Sequence, residues 1–461
     1  MQESGQLHLI LRIKTIQIYP MKKLLTMIAA AALLASCGGT GTTQDTATAR
    51  YEKSTVDWAK NANIYEVNIR QYSQEGTFNA FAQNLPRLKE QGVDILWLMP
   101  IYPISEEGRK GTLGSYYAVK DYTAVNPEFG TLDDLKSLVN QAHKLGMKVI
   151  LDWVANHTGK DNVWTKEHKD YFNLDSLGNP AIPEGTDWDD VADLDYDNPE
   201  LRKAMVEAMK FWIKNADIDG FRCDVAGMVP TDFWVAARAE LDKLKPVFML
   251  AEDDKPEIHK AFDASYNWKV HHVLNKIAQG KNTADSLAEV LLTEEKDFGG
   301  TDILMNFTSN HDENSWSKSE YDRMGGHVKQ MAVLTYFLPG MPLCYSGQEA
   351  ANKKALEFFE KDVIDFSSLP LKDFYAQLNA IKHKYPSLWN NDIQILSTDK
   401  NIFVFDRGDI RCIFNFNAEP ADITVDFKGE YADVFNEMNV YNPGEQILTV
   451  EARGWKCAVK K

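Results

Sequence analysis

Four carboxylates stand at the ends of short apolar runs. They are Asp152 after Lys148 to Leu151, Asp224 in Gly220-Phe221-Arg222-Cys223-Asp224, Glu252 after Val247 to Ala251, and Asp312 after Ile303 to Thr308. Successive side chains of a strand alternate faces, so Gly220, Arg222 and Asp224 share one face while Phe221 and Cys223 share the other. A parallel strand packed under helices buries its oily face against them and turns the polar face toward a barrel axis. Asp224 then sits at the strand's C-terminal end. Arg222 beside it favours the charged form of that carboxylate, and an ionised, aimed carboxylate is a nucleophile. An Arg two residues from an Asp is by itself more often a structural ion pair. The three further strand-end carboxylates point to chemistry.

The elements that must hold these groups are legible as alternation. Eight strand-like runs are separated by amphipathic stretches: Ile64 to Ile69, Val93 to Met99, Lys148 to Trp153, Gly220 to Val225, Val247 to Ala251, a weak one at Ala264 to Tyr266, Ile303 to Thr308, and Pro342 to Ser346. Eight βα units predict an α/β protein built on a (β/α)8 TIM barrel. Thr131 to Leu145 reads as a helix, with Asp133 and Asp134 in its first turn and Gly146 after its end, and Asn198 to Lys214 as another. From Thr158 to about Asp195 the alternation breaks into a segment rich in Asp, Asn, Gly, Pro and Trp. It predicts a small inserted subdomain after the third strand, roofing a cleft. Beyond about Asn390 the period changes to short alternating strands (Ile402 to Phe405, Arg411 to Phe416, Ile423 to Phe427, Gln446 to Glu451), which predicts a C-terminal antiparallel β-sandwich over residues 391–461. The barrel is then expected over residues 53–390.

The chain has 461 residues, 44% hydrophobic and 25% charged, which excludes neither a large core nor solubility but does exclude a disordered or multi-span membrane class. Its formal charge is −17, and −20 without residues 1–36, which argues against a nucleic-acid partner. The cysteines Cys37, Cys223, Cys344, Cys412 and Cys457 have no CxxC spacing and imply no zinc site. Cys223 and Cys344 are expected to be buried, while Cys412 and Cys457 are free to pair if the protein is exported. Met21-Lys22-Lys23 and the run Leu24 to Leu34 have the charged start and short apolar core of a secretory signal. The run ends Leu34-Ala35-Ser36-Cys37, similar to a bacterial lipobox with Cys37 as the lipidated residue. The expectation is an exported, membrane-anchored lipoprotein, periplasmic or cell-surface, with residues 1–20 an upstream extension and residues 38–52 a flexible tether.

In order along the chain stand Asp152-Trp153-Val154-Ala155-Asn156-His157, Gly220-Phe221-Arg222-Cys223-Asp224, the lone Glu252, and Asn310-His311-Asp312. This set resembles the four signature regions of the α-amylase family of glycoside hydrolases. Tyr117 and Asp121 in SYYAVKDY, the run NPEFGT, and YSGQE at Tyr345 to Glu349 extend the likeness from Trp58 to the end. The resemblance implies that Asp224 is the nucleophile, Glu252 the general acid and base, and Asp312 the transition-state stabiliser. The chemistry asks for those types on its own account, since a retaining glycosidase needs an attacking carboxylate and a proton-donating acid about 5 to 5.5 Å apart. Burial and like charge are expected to raise Glu252, and Arg222 to keep Asp224 ionised. By the same resemblance Tyr117, His157, Arg222 and His311 line the sugar subsite, and Asp152 supports Arg222. Asn156 and Asp193 resemble ligands of a structural Ca2+; no organic cofactor is expected.

Two departures stand out. Many α-amylases carry Lys-His shortly after the nucleophile, where this chain has Gly227-Met228, and Glu252 is followed by Asp253-Asp254. Trp153, Trp188, Trp268 and Trp316 are candidate stacking platforms. The substrate expected is an α-glucan oligosaccharide or polysaccharide such as starch, cleaved mainly at α-1,4 bonds. The alternatives are an α-1,6-acting, cyclodextrin- or pullulan-acting or transglycosylating relative, and a non-catalytic glycan-binding barrel, which would have lost a catalytic carboxylate.

Overall fold

The computed structural model describes residue 53 and residues 56–461. Cys37 and the signal-like run lie outside them. Eight parallel strands close into a barrel in chain order: β1 (Ile64–Val67), β2 (Ile95–Leu98), β3 (Lys148–Val154), β4 (Gly220–Asp224), β5 (Phe248–Ala251), β6 (Ala264–Tyr266), β7 (Ile303–Asn306) and β8 (Met341–Tyr345). The first strand pairs with the last, Ile64 opposite Leu343.

The period-two rule holds at every strand that carries chemistry. Ile64, Ile95, Ile150, Phe248, Met305 and Leu343 fill the barrel interior, whereas Tyr65, Leu96, Val149, Phe221 and Met249 face the helical layer. One step further along the inward positions, apolar side chains give way to Glu66, Trp97, Asp152, Arg222 and Tyr266, all fully buried. The barrel thus has an apolar floor under a polar upper layer. Gly220 begins β4 because nothing larger fits: a Cβ there would lie 1.9 Å from the Phe248 carbonyl oxygen.

The helix Leu132–Lys144 starts with a capping box, Thr131 accepting from the Asp134 amide at 3.2 Å while the Asp134 carboxylate accepts from Thr131 N at 2.8 Å. Pro199–Ala216 is capped by Asn198 and ends at Asp217 in the left-handed region. After β3 the chain leaves the barrel through a short antiparallel pair, His157–Gly159 with Val191–Asp193.

The C-terminal part contains a six-stranded antiparallel sheet and a two-stranded one (Ala421–Phe427 with Gly444–Val450), whose apolar faces meet around Val404, Ile413, Ile423 and Val425. The six-stranded sheet also holds Gln394–Ser397, Tyr431–Asp433, Val440–Tyr441 and Trp455–Lys460, which the reading of alternation in the sequence does not single out. Arg407, fully buried, ties the sheet to the barrel by donating to the carbonyls of Phe337 at 2.7 Å and Asp392 at 2.6 Å. Cys412 and Cys457 face each other across adjacent strands as buried free thiols, and Cys223 and Cys344 are buried as expected.

Candidate active site

One guanidinium organises the upper end of the barrel. Arg222 Nη1 donates to Asp152 Oδ1 and to Asp224 Oδ1, each at 2.9 Å, and Nη2 lies 3.0 Å from Glu252 Oε2. Nε donates to the Tyr266 hydroxyl at 3.1 Å, and the plane sits 5.0 Å from the centre of the Trp97 ring. Three carboxyl groups from β3, β4 and the end of β5 are therefore gathered on one buried cation. Asp152 is held further by Trp97 Nε1 and the Tyr117 hydroxyl, both at 3.1 Å.

Burial and shared charge separate the acids. Asp224 is pushed up to about 6, by burial first and by Asp152 and Asp312, against the opposing pull of Arg222. Desolvation thus outweighs the ion pair in setting the direction, while the pull of Arg222 keeps Asp224 low enough to be mostly ionised at neutrality. Glu252 is pushed higher, to about 7, again by burial first and then by Asp224 and Asp312 against Arg222. The expected order survives, with Asp224 the stronger acid. Glu252 Oε2 also accepts from Val225 N at 2.8 Å. Val225 reaches that position with φ +35°, a left-handed conformation costly for a β-branched residue.

A second cation lies across the site. Burial would lower the pKa of His311, but Asp312 and Glu66 outweigh it and raise it to about 9, so the ring is an imidazolium at neutrality. Its Nδ1–H faces Glu66 Oε1 at 2.5 Å, and its Nε2–H donates to the Tyr117 hydroxyl at 2.7 Å, with Asp312 Oδ2 at 3.3 Å. Tyr117 stacks on His311 with ring centres 5.5 Å apart. His157, by contrast, is lowered to about 3 by burial and stays neutral, facing Trp188 at 5.2 Å. Asp224, Glu252, Asp312, Tyr117 and His157 thus line a cleft of about 660 Å³, with Asp152, Arg222 and His311 buried behind them in the same network.

Glu66, Trp97 and Tyr266 belong to the same network and escape the sequence-based reading. The signal for Glu66 was an ionisable side chain at an inward position of the otherwise apolar run Ile64-Tyr65-Glu66-Val67. Of the four tryptophans, Trp188 and Trp316 line the cleft, Trp153 is fully buried in the layer outside the barrel, and Trp268 packs on Phe307 at 5.1 Å. The Gly227 departure has a steric reason, since a Cβ there would lie 2.7 Å from the Asp253 carboxyl carbon. Asp253 occupies the space that a side chain at position 227 would need.

Asn156 and Asp193 lie beside the short strand pair, in which His157 is opposite Asp193. Asp193 accepts from Asn173 Nδ2 at 2.7 Å and is raised by burial first, then by Asp195 and Glu184 against that hydrogen bond. Among the described residues no three His, Cys, Asp or Glu side chains converge as a metal cage, and no helix is long and apolar enough to cross a membrane.

Comparison with known proteins gives consistent findings. The family model described as "Alpha amylase, catalytic domain" matches residues 43–189 and 185–394. Alpha-amylase 3 of Dictyoglomus thermophilum is 29% identical over 340 residues, covering 63% of this chain and 64% of that protein, so the chain spans less than two thirds of that relative. Among solved structures, an alpha-amylase from Lactobacillus plantarum is 32% identical with a TM-score of 0.80, covering 87% of this chain and 99% of that one. A noncanonic maltogenic alpha-amylase from Thermotoga neapolitana is 31% identical with a TM-score of 0.78, covering 88% and 100%.

Proposed function

The chain belongs to the α-amylase family of glycoside hydrolases, and from that premise we propose that it cleaves α-glucosidic bonds, mainly α-1,4, in starch, malto-oligosaccharides or related α-glucans with retention of configuration. The observation that carries the reading is the pair Asp224 and Glu252, each about 3 Å from one guanidinium yet titrating near 6 and near 7. Holding both carboxyls on one guanidinium favours the short spacing of a retaining pair, roughly 5 to 5.5 Å, over the roughly 6.5 to 9.5 Å of an inverting one. In the first step Asp224 Oδ attacks the anomeric carbon and the C–O bond to the leaving sugar breaks, while Glu252 gives its proton to that oxygen. In the second, Glu252 takes a proton from water, whose oxygen displaces Asp224 from the same carbon. Two inversions leave the α configuration.

In this reading Asp312 and Tyr117, which line the cleft, contact the sugar, His311 stacks behind Tyr117, and neutral His157 borders the sugar beside the inserted segment. The site charge supports a positive transition state: an oxocarbenium-like ring meets the carboxylates of Asp224 and Asp312. The test is NMR of the first products from maltoheptaose, pullulan and a cyclodextrin. α-Anomers from maltoheptaose are expected; β-anomers would sink the retaining mechanism, and absence of cleavage of all three would sink the substrate class.

Two readings extend this one. Asn156 and Asp193, with carbonyls and water, are proposed to hold a structural Ca2+, since both offer oxygen ligands and Asp195 and Glu184 add negative charge at Asp193. No catalytic step runs through it. Exhaustive chelation is expected to lower the melting temperature, and an unchanged melting temperature with no bound metal by elemental analysis ends the idea. Export and lipid anchoring at Cys37 are proposed on the sequence of residues 21–37 alone. Cys37→Ala should move the protein from the membrane to the soluble fraction of a bacterial host, and identical fractionation refutes the anchor.

A further inference from the structure

We propose that the cleft is closed on the non-reducing side of the scissile bond by a strapped wall built on Lys110 and Phe359, so that the protein trims α-glucans from chain ends and releases short saccharides. The proposal rests on the hydrolase reading above and adds which bond in the chain is reached.

The position of the proton donor sets the direction. Glu252 protonates the leaving oxygen, so the leaving-group sugars lie toward the loops after β4 and β5, and the glycone lies across Tyr117 toward the loops after β2, β7 and β8. On the leaving-group side the rim is low. Gly227 offers only its Cα under the Asp253 carboxylate, and Met228 is 45% exposed.

On the glycone side three segments are fastened to one another. Lys110 Nζ lies 2.9 Å from Asp189 Oδ1 and 3.2 Å from Asp190 Oδ1, which joins the loop after β2 to the inserted segment. Two residues further on, Thr112 N donates to Glu360 Oε1 at 2.8 Å and Leu113 N to the Phe359 carbonyl at 3.1 Å, which joins the same loop to the one after β8. Between the straps Gly111 has φ +61°, and a Cβ there would lie 2.5 Å from Phe359 Cβ, so the two loops touch with no gap for a sugar.

Lys110 and Phe359 both line the cleft. The inner face of the wall is aromatic: Phe358 lies nearly parallel to Tyr117, 6.1 Å away and 19° off, and Trp316, 60% exposed, packs on Phe358 at 5.2 Å. An ammonium has three N–H bonds, and two ion pairs leave one for a terminal sugar hydroxyl. The cleft, about 660 Å³, lies within the size range of small-ligand sites.

The test is the product pattern of the full chain on maltoheptaose labelled at its reducing end and on soluble starch, for wild type, Lys110→Ala and Phe359→Ala, each with its melting temperature. Wild type is expected to release unlabelled saccharides of one to three units while the labelled chain shortens stepwise, and to lose iodine colour slowly relative to the reducing ends formed. At least one folded variant is expected to release longer unlabelled fragments, their share rising severalfold. Rapid loss of iodine colour with wild type overturns the wall while leaving the hydrolase reading intact. So do two folded variants with the wild-type pattern. No release from either substrate overturns the hydrolase reading itself.

Discussion

Replacing Glu252 by Gln tests the acid assignment through both rate and pH. Turnover needs Asp224 ionised and Glu252 protonated, so the rising limb of kcat/KM reports the group near 6 and the falling limb the group near 7. The wild-type profile is expected to be a narrow bell centred between them, dropping roughly tenfold per pH unit well outside that window. In Glu252→Gln the amide can neither donate nor titrate. On starch the loss should be about 10² to 10⁴ in rate, or roughly 3 to 5 kcal/mol of barrier. On α-glucosyl fluoride, whose leaving group needs little protonation, the loss should be smaller and the falling limb should vanish while the rising limb stays. Azide should then restore turnover and yield the α-glucosyl azide, because Asp224 still forms its β-ester and the small anion replaces activated water in the second inversion. The assay is stopped-flow fluoride release across pH with mass and NMR analysis of the azide product. A falling limb near 7 that persists in the variant would show that another group carries the proton, and a loss under tenfold on starch would remove Glu252 from acid catalysis altogether.

Further outcomes follow from the same geometry. Glu294, buried with a single hydrogen bond from Asn267, is raised by burial to about 7. Because its folded pKa lies above the unfolded value, the native state holds the extra proton and stability falls as pH rises from about 4 to 7; Glu294→Gln should therefore stabilise near pH 8, by up to about 3 kcal/mol, and do little near pH 5, by chemical denaturation. Arg407→Leu leaves the carbonyls of Phe337 and Asp392 without their buried donor, at a cost of about 3 kcal/mol, and an unchanged melting temperature would disprove that weld. Glu66→Gln removes one of the two charges that hold His311 near 9, so the ring should titrate lower by NMR, with a loss of about tenfold in kcat.

The catalytic end of the barrel was readable because strands turn alternate side chains inward and the chain places Asp152, Arg222, Asp224 and Glu252 on the inward parity. What stayed hidden was everything set by distance between strands. Glu66 and His311 are 245 residues apart, and no local pattern says that β1 and the end of β7 come within reach of each other across β8. The same holds for the wall, where Lys110, Asp189 and Phe359 look like unrelated loop residues until the inserted segment and two loops are folded onto one rim. The size of the shift at Asp224 was hidden for a different reason. Sequence shows the neighbouring charge of Arg222 but not how strongly burial opposes it, nor that Glu252 shares the same guanidinium.

That sharing has a consequence for the second half of the reaction. Glu66, Asp152, Asp224, Glu252 and Asp312 crowd around two cations, Arg222 and His311, and Glu252, pushed up to about 7 against about 6 for Asp224, holds a proton more tightly than its partner. Asp224 is among the charges that raise Glu252. When Asp224 becomes a glycosyl ester its charge is gone, Arg222 is left to Asp152 and Glu252, and the pKa of Glu252 must fall. The group that has just given up a proton is thereby kept ionised, as its next task of taking one from water requires. The expected outcome is that trapping the enzyme with a 2-fluoroglycosyl fluoride moves the Glu252 carboxyl titration, followed by 13C NMR of glutamate-labelled protein against a Glu252→Gln reference, downward by about one unit or more. A titration that stays near 7 in the trapped form would mean that Asp224 does not set the proton affinity of Glu252, and the change of role would need another cause.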